Sequence, residues 1–209
     1  MGIVIVCDPA GRRRGRVLVI HSWWGLTDSF RRYADSLAAA GFRVVVPDLF
    51  GGATAATEEE ARRLRARTGR VSRYRLLEEG LDILRAGRDG EPVGVVGFSM
   101  GGHWAVWLAQ RRGYNIAAAC LYYAARAGTF TPPTRYLAHF ADADPWVSAA
   151  ARSRMESAIN RSGCTYAAHD YPGCGHWFAE SDRPDAYRAD AAQLAFSRDL
   201  TLLGSVLGG

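Results

Sequence analysis

The apolar run Pro92-Val93-Gly94-Val95-Val96-Gly97-Phe98 breaks at Ser99 and passes straight into Met100-Gly101-Gly102-His103-Trp104, which is helix material. A buried-strand run joined to a helix through one Ser, with Gly two positions to either side, describes a nucleophile elbow. Such a turn holds its apex residue in a strained backbone conformation and brings neighbouring chains too close for side chains at Gly97 and Gly101. The hydroxyl of Ser99 is then lifted above the carboxyl edge of a sheet, and the helix N-terminus faces whatever binds there.

The rest of the chain alternates between strand and helix patterns. Ile3 to Val6 and Val17 to Ile20, joined by Asp8-Pro9-Ala10-Gly11, predict a hairpin at a sheet edge. A helix carrying Phe30, Tyr33, Ala34 and Leu37 follows, then the strand Phe42 to Val46, closed by Pro47. The charge-rich stretch Thr57 to Arg67 reads as an exposed helix and Val71 to Leu84 as a second, with Leu76, Leu77, Leu81 and Leu84 inward; neither signals any chemistry. Beyond the elbow come strands at Ile116 to Tyr123, Tyr136 to Phe140 and Thr165 to His169, a helix from Ser148 to Asn160, and a closing helix from Asp185 to about Leu203. This alternation predicts a mostly parallel sheet covered by helices on both faces, with the site at the carboxyl ends of its strands.

Composition narrows the function classes. The chain has 209 residues, 48% of them hydrophobic, enough for one core, and no linker divides it, so residues 1–209 are expected to form a single domain. No apolar stretch reaches the length of a membrane span and no basic leader opens the chain, which predicts a soluble, unexported, cytoplasmic protein without a membrane partner. The net charge is +5, and all 26 basic residues are Arg. They are scattered among acids, the Arg12-Arg13-Arg14 cluster with Arg16 sits in a turn, and no nucleic-acid partner is expected. Cys7, Cys120, Cys164 and Cys174 show no metal-ligand spacing; free thiols in a reducing compartment, and no metal or cofactor, are expected.

A Ser nucleophile needs a general base, and the base needs an orienting carboxylate; on this elbow they follow in the chain order Ser, acid, His. His21 precedes Ser99 and His103 lies within the elbow helix. His139 and His169 lie in strands. His176, on the loop Tyr171 to His176, remains as the base. Asp142 and Asp144 both follow the strand ending at Phe140, and extended backbone turns them opposite ways; Asp144, biased away from helix by Pro145, is preferred to Asp142. The oxyanion hole falls to the backbone N–H of Met100 and of Trp23, in the loop after the first parallel strand.

These residues stand in five boxes, and the chain from Val17 onward resembles the dienelactone hydrolase family of α/β-hydrolases. The HEWWGL box appears as His21-Ser22-Trp23-Trp24-Gly25-Leu26 and the PDLYGG box as Pro47-Asp48-Leu49-Phe50-Gly51-Gly52. The elbow is Gly97-Phe98-Ser99-Met100-Gly101-Gly102, the acid box His139 to Val147, and the histidine box Tyr171-Pro172-Gly173-Cys174-Gly175-His176. The resemblance implies an α/β-hydrolase fold of about seven strands. Relative to the family the chain begins late, and the family's first strand is expected to be missing.

Three departures refine the expectation. The family nucleophile is usually Cys, here Ser99, and the Glu that manages that thiol is here Ser22; a serine hydroxyl has no thiolate proton to manage. Dienelactone-type members hold the substrate carboxylate with an Arg four residues after the catalytic His, where this chain has Glu180. A like charge there predicts a preference for neutral acyl substrates, unless another arginine such as Arg73 or Arg75 offsets it. The expected activity is cleavage of a small ester, lactone or related acyl compound by Ser99, His176 and Asp144 through an acyl-enzyme. Ser22, Trp24, Phe50, Phe98, Tyr123, Trp146, Trp177 and Glu180 are candidates to bind substrate, with Phe178 as a further wall. Acyl transfer or perhydrolysis uses the same residues, and a non-enzymatic small-molecule binding protein is the rival class. A monomer or homodimer fits either.

Overall fold

A computed structural model describes residues 4–87 and 90–208. Seven strands form one sheet in the order β1-β3-β2-β4-β5-β6-β7. They are β1 (Val4–Cys7), β2 (Gly15–Ile20), β3 (Phe42–Pro47), β4 (Val93–Phe98), β5 (Ile116–Tyr122), β6 (Arg135–Ala143) and β7 (Thr165–Gly175). All pairs are parallel except β1 with β3. The strand residues alternate between two cores as extended backbone requires. Leu18, Ile20, Val45 and Val95 face α3 (Arg70–Arg85), α4 (Met100–Ala109) and α5 (Ala149–Ser162). Val17, Val19, Val44 and Val96 face α1 (Asp28–Ala39) and α6 (Ala189–Leu207). The remaining helix, α2 (Glu58–Arg67), is fixed at its start by a capping box in which Thr57 and Glu60 each satisfy the other's backbone N–H.

The expected hairpin does not form. β1 pairs antiparallel with β3, Val4 opposite Pro47, because both edges of β2 are already filled by β3 and β4 and the open edge belongs to β3. Ile3 lies outside the described residues. The dense arginine turn is structural: Arg16 is buried and ion-paired with Glu91, while Arg13 pairs with Asp8. The closing helix starts at Ala189 rather than Asp185, since residues before it are held in turns, with Arg188 N–H donating to the Phe178 carbonyl. β7 runs six residues past His169, pairing with β6 as far as Ala143 opposite Gly175. That extension brings the residues after the two strands, Asp144 and His176, side by side. Among the described residues no helix is long and apolar enough to cross a membrane.

Candidate active site

The elbow is built as its glycines require. A Cβ on Gly97 would lie 2.3 Å from the Gly101 carbonyl oxygen, and one on Gly101 would lie 2.1 Å from that of Ile20. Ser99 sits at φ 51°, ψ −110°, a region side chains rarely adopt, and its N–H donates to the Tyr122 carbonyl at 3.0 Å. Strand pairing on one side and the α4 N-terminus on the other therefore fix the apex.

Ser99 Oγ lies 2.8 Å from His176 Nε2, and His176 Nδ1 lies 2.9 and 2.8 Å from the two oxygens of Asp144. Asp144 Oδ1 also accepts from the N–H groups of Trp146 (2.8 Å) and Val147 (3.1 Å), so its carboxylate is aimed before any substrate arrives. Asp142, the alternative, accepts instead from Gly173 N–H and braces the end of β7. His139 is fully buried between Asp199 and Tyr171. It helps tie α6 to the sheet, since Asp199 also accepts from Tyr33 and Tyr122.

Trp23 and Met100, whose N–H groups were assigned to the oxyanion, border the same cavity as Ser99 and His176, a space of about 610 Å³. The loop carrying Trp23 is pinned from below. His21 Nε2 accepts from Leu49 N–H at 2.9 Å, so the ring proton sits on Nδ1 and is donated to the Ser22 carbonyl at 2.6 Å. Complete burial keeps this imidazole neutral by lowering its pKa. The roof is aromatic: Trp23 meets Trp146 at 5.1 Å and stacks on Trp177 at 6.0 Å, and Tyr123 packs 4.8 Å from the His176 ring.

Tyr123, Trp146 and Trp177 line the cavity, whereas Trp24 borders a neighbouring hollow of about 730 Å³ beyond Trp146 and Trp177. Five other expected substrate contacts lie beneath the site. Phe50, in the turn after β3, packs edge-on against His21, and Phe98, turned into the core by strand alternation at the end of β4, stacks on Tyr122 at 4.3 Å under α1. Phe178 is likewise buried, stacked on Tyr171. Ser22 and Glu180 are both fully buried. Glu180 accepts from Ser22 Oγ and from the Tyr123 hydroxyl, each at 2.8 Å. The expected repulsion of anionic substrates is thereby corrected. The carboxyl faces away from the cavity, and burial pushes its pKa up to about 8, so it is mainly uncharged at neutral pH. The carboxyl that the resemblance places at position 22 is supplied from position 180, with Ser22 as its donor.

The cavity also holds Arg73, one of the two arginines the sequence offered to a substrate anion, together with residues that the sequence left without a role. Arg62 and Arg65 reach it from α2, Arg73 from α3 and Arg126 from the segment after β5, and among the described residues none of its lining is acidic. His103 lines it too, its pKa lowered by burial and then by Arg126 and His176. Arg75 does not line it. The pattern Arg62, Arg65 at helical i, i+3 spacing was the legible signal, but on a helix this charge-rich nothing marked which face met the site.

All four thiols are free, and Cys120, Cys164 and Cys174 are buried. Burial raises the pKa of Cys174, and burial followed by the Asp199 charge raises that of Cys120, so neither offers a thiolate. Iodoacetamide at neutral pH should leave ester hydrolysis intact. Rapid inactivation with alkylated Cys120 or Cys174 would place a thiol in the chemistry.

A protein called usf from Aquifex pyrophilus is 26% identical over 197 residues, spanning 87% of this chain and 84% of its own. A dienelactone hydrolase-like promiscuous phosphotriesterase from metagenomic libraries has a similar structure, with TM-score 0.77 and 21% identity over 95% of this chain and 89% of that one. A thermophilic esterase from Thermogutta terrifontis aligns with TM-score 0.66 and 16% identity over 97% of this chain and 86% of its own. The two structural likenesses show the α/β-hydrolase fold. The sequence profile of the dienelactone hydrolase family matches residues 4–207, nearly the whole length, and the chain belongs to that family.

Proposed function

We propose that this protein is a serine-type carboxylic ester hydrolase that cleaves a small ester, lactone or related acyl compound without metal or cofactor. The observation that carries the reading is the unbroken relay from Ser99 Oγ through His176 to Asp144, each contact 2.8–2.9 Å, opening on one cavity. In this mechanism His176 Nε2 takes the proton as Ser99 Oγ attacks the acyl carbon, while Asp144 stabilises the imidazolium. Backbone N–H groups of Trp23 and Met100 receive the oxyanion, each such donor contributing about 3 kcal/mol to the transition state. The imidazolium then protonates the leaving oxygen, and water repeats the sequence on the acyl-enzyme. Free thiols throughout support a reducing, cytoplasmic setting.

The test is covalent. A fluorophosphonate probe should label the wild type at Ser99, fail on Ser99→Ala and slow steeply on His176→Ala. Mapping the adduct to any other residue would overturn the assignment, and absence of both labelling and turnover across a panel of short-chain p-nitrophenyl esters and lactones would favour a binding protein.

A further inference from the structure

We propose that the catalytic cavity and an adjoining groove between α3 and α4 form one anion track that takes a phosphate-bearing arm of the acyl substrate. This rests on the reading of Ser99 as the acylated residue, and it goes beyond it by naming what the substrate carries.

Of the cavity arginines, Arg62 is matched by Glu58 one helical turn away, at 2.6 Å. Arg65, Arg73 and Arg126 have no ion pair among the described residues. Arg73 is nonetheless held in place, its Nη1 donating to the carbonyls of Arg65 and Thr68 at the end of α2. The Nε atoms of Arg73 and Arg126 are buried without a hydrogen-bond partner. Burial, followed by the Arg65 charge, lowers the pKa of Arg73; burial, followed by Arg111 and Arg70, lowers that of Arg126.

Arg126 and Trp104 are shared with a second hollow of about 410 Å³, where Arg70 and Arg111 stand over Tyr74 and Trp107. Arg111 Cζ lies over the Trp107 ring, 3.6 Å from its centroid, and its Nη1 donates to the Trp107 carbonyl at 2.7 Å. Stacking and this hydrogen bond together hold the guanidinium in place at the hollow it lines. Arg65, Arg70, Arg73, Arg111 and Arg126 are thus five guanidiniums without ion pairs, along two connected hollows whose described lining contains no carboxylate.

Like charges gathered this way repel one another, and an anionic ligand relieves the repulsion. One carboxylate occupies a single guanidinium fork. A phosphate monoester carries close to two charges and three strong acceptor oxygens, and so matches several forks at once. Because the track opens on Ser99, the anion belongs to the molecule undergoing acyl transfer. The phosphate itself is not transferred: the Ser99 Oγ–acyl bond forms, the bond from the acyl carbon to its leaving oxygen breaks, and that oxygen departs with the proton held by His176.

The test uses inorganic pyrophosphate as probe and two matched esters as substrates. Pyrophosphate should inhibit hydrolysis of p-nitrophenyl acetate competitively, and its Kd, measured by calorimetry on Ser99→Ala protein, should rise about tenfold or more in Arg111→Gln and in Arg126→Gln. Arg161→Gln, on the exposed end of α5, should bind as wild type does. The kcat/KM ratio of 1-acetylglycerol 3-phosphate to monoacetylglycerol should exceed about ten at low salt and collapse in the Arg111 and Arg126 variants. A ratio near one, with Ser99 still labelled by fluorophosphonate, overturns the inference and leaves the hydrolase reading standing. Binding lost equally in Arg161→Gln, or unaltered in both track variants, also overturns it. Arginine-dependent pyrophosphate binding on a protein whose Ser99 is never labelled would instead retain the anion track and sink the hydrolase reading.

Discussion

Ser99→Ala is expected to lower kcat for a short-chain p-nitrophenyl ester by about 10⁵- to 10⁶-fold with little change in KM, since the hydroxyl contributes to bond formation and not to ground-state binding. His176→Ala should cost nearly as much. The double variant should lose no more than either single one, because nucleophile and base act as one unit through their 2.8 Å contact. Asp144→Asn leaves the packing intact but offers His176 Nδ1 an amide in place of a carboxylate; about 10⁴-fold is expected. Steady-state kinetics on the four proteins decides the matter. If the Ser99 and His176 losses multiplied, the two groups would be acting in separate steps and the relay would be misread.

How much of this was legible in the sequence depends on how local each signal is. The elbow is a contiguous pattern, and its two glycines answer to close backbone approaches, Gly97 to Gly101 within the turn and Gly101 to Ile20 on the neighbouring strand, so Ser99 could be read directly as its apex. His176 and Asp144 followed from chain order and from which histidines strands and helices had already claimed. Strand pairing is non-local: the Asp8 to Gly11 turn suggested a hairpin, yet the free edge lay on β3, which only the assembled sheet reveals. Phe50 and Phe98 were misplaced for a related reason, since membership of a motif box does not say whether a side chain faces the site or the core: Phe98 is turned inward by the alternation of β4 and Phe50 by the turn after β3. Arg73 of α3 was named as a candidate from the sequence, but the arginines of α2 were hidden by their number. On a helix where most positions are charged, periodicity cannot separate a face that meets solvent from one that meets a ligand. Glu180 shows the reverse error: a charged residue at a family substrate position was read as charged, whereas its burial keeps it mostly neutral.

That burial has a measurable consequence for stability against pH. The Glu180 carboxyl has its pKa pushed up to about 8, by burial first, with the hydrogen bonds from Ser22 and Tyr123 opposing the shift. In the unfolded chain it titrates near the ordinary value of 4.5. Between these values the folded state holds a proton that the unfolded state releases, so the folded state's advantage is complete below about pH 4.5 and is lost as pH rises through about 8. At 1.36 kcal/mol per unit, the loss across that window is on the order of 5 kcal/mol. Glu180→Gln keeps a carbonyl oxygen to accept from one of the two hydroxyls, offers an N–H that the other can accept, and cannot ionise. Urea unfolding from pH 5 to 9 should therefore show the wild type losing stability relative to Glu180→Gln, with the two similar at the acidic end and the Gln variant the more stable at the alkaline end. The same charge is felt by the site, because Ser22 precedes Trp23 and Tyr123 packs on His176 at 4.8 Å. Ester hydrolysis by the wild type should consequently fall off above about pH 8 while that of Glu180→Gln persists. Parallel stability profiles for the two proteins would mean that Glu180 ionises in the folded state as it does in water, and that the carboxyl beneath the oxyanion loop is solvated.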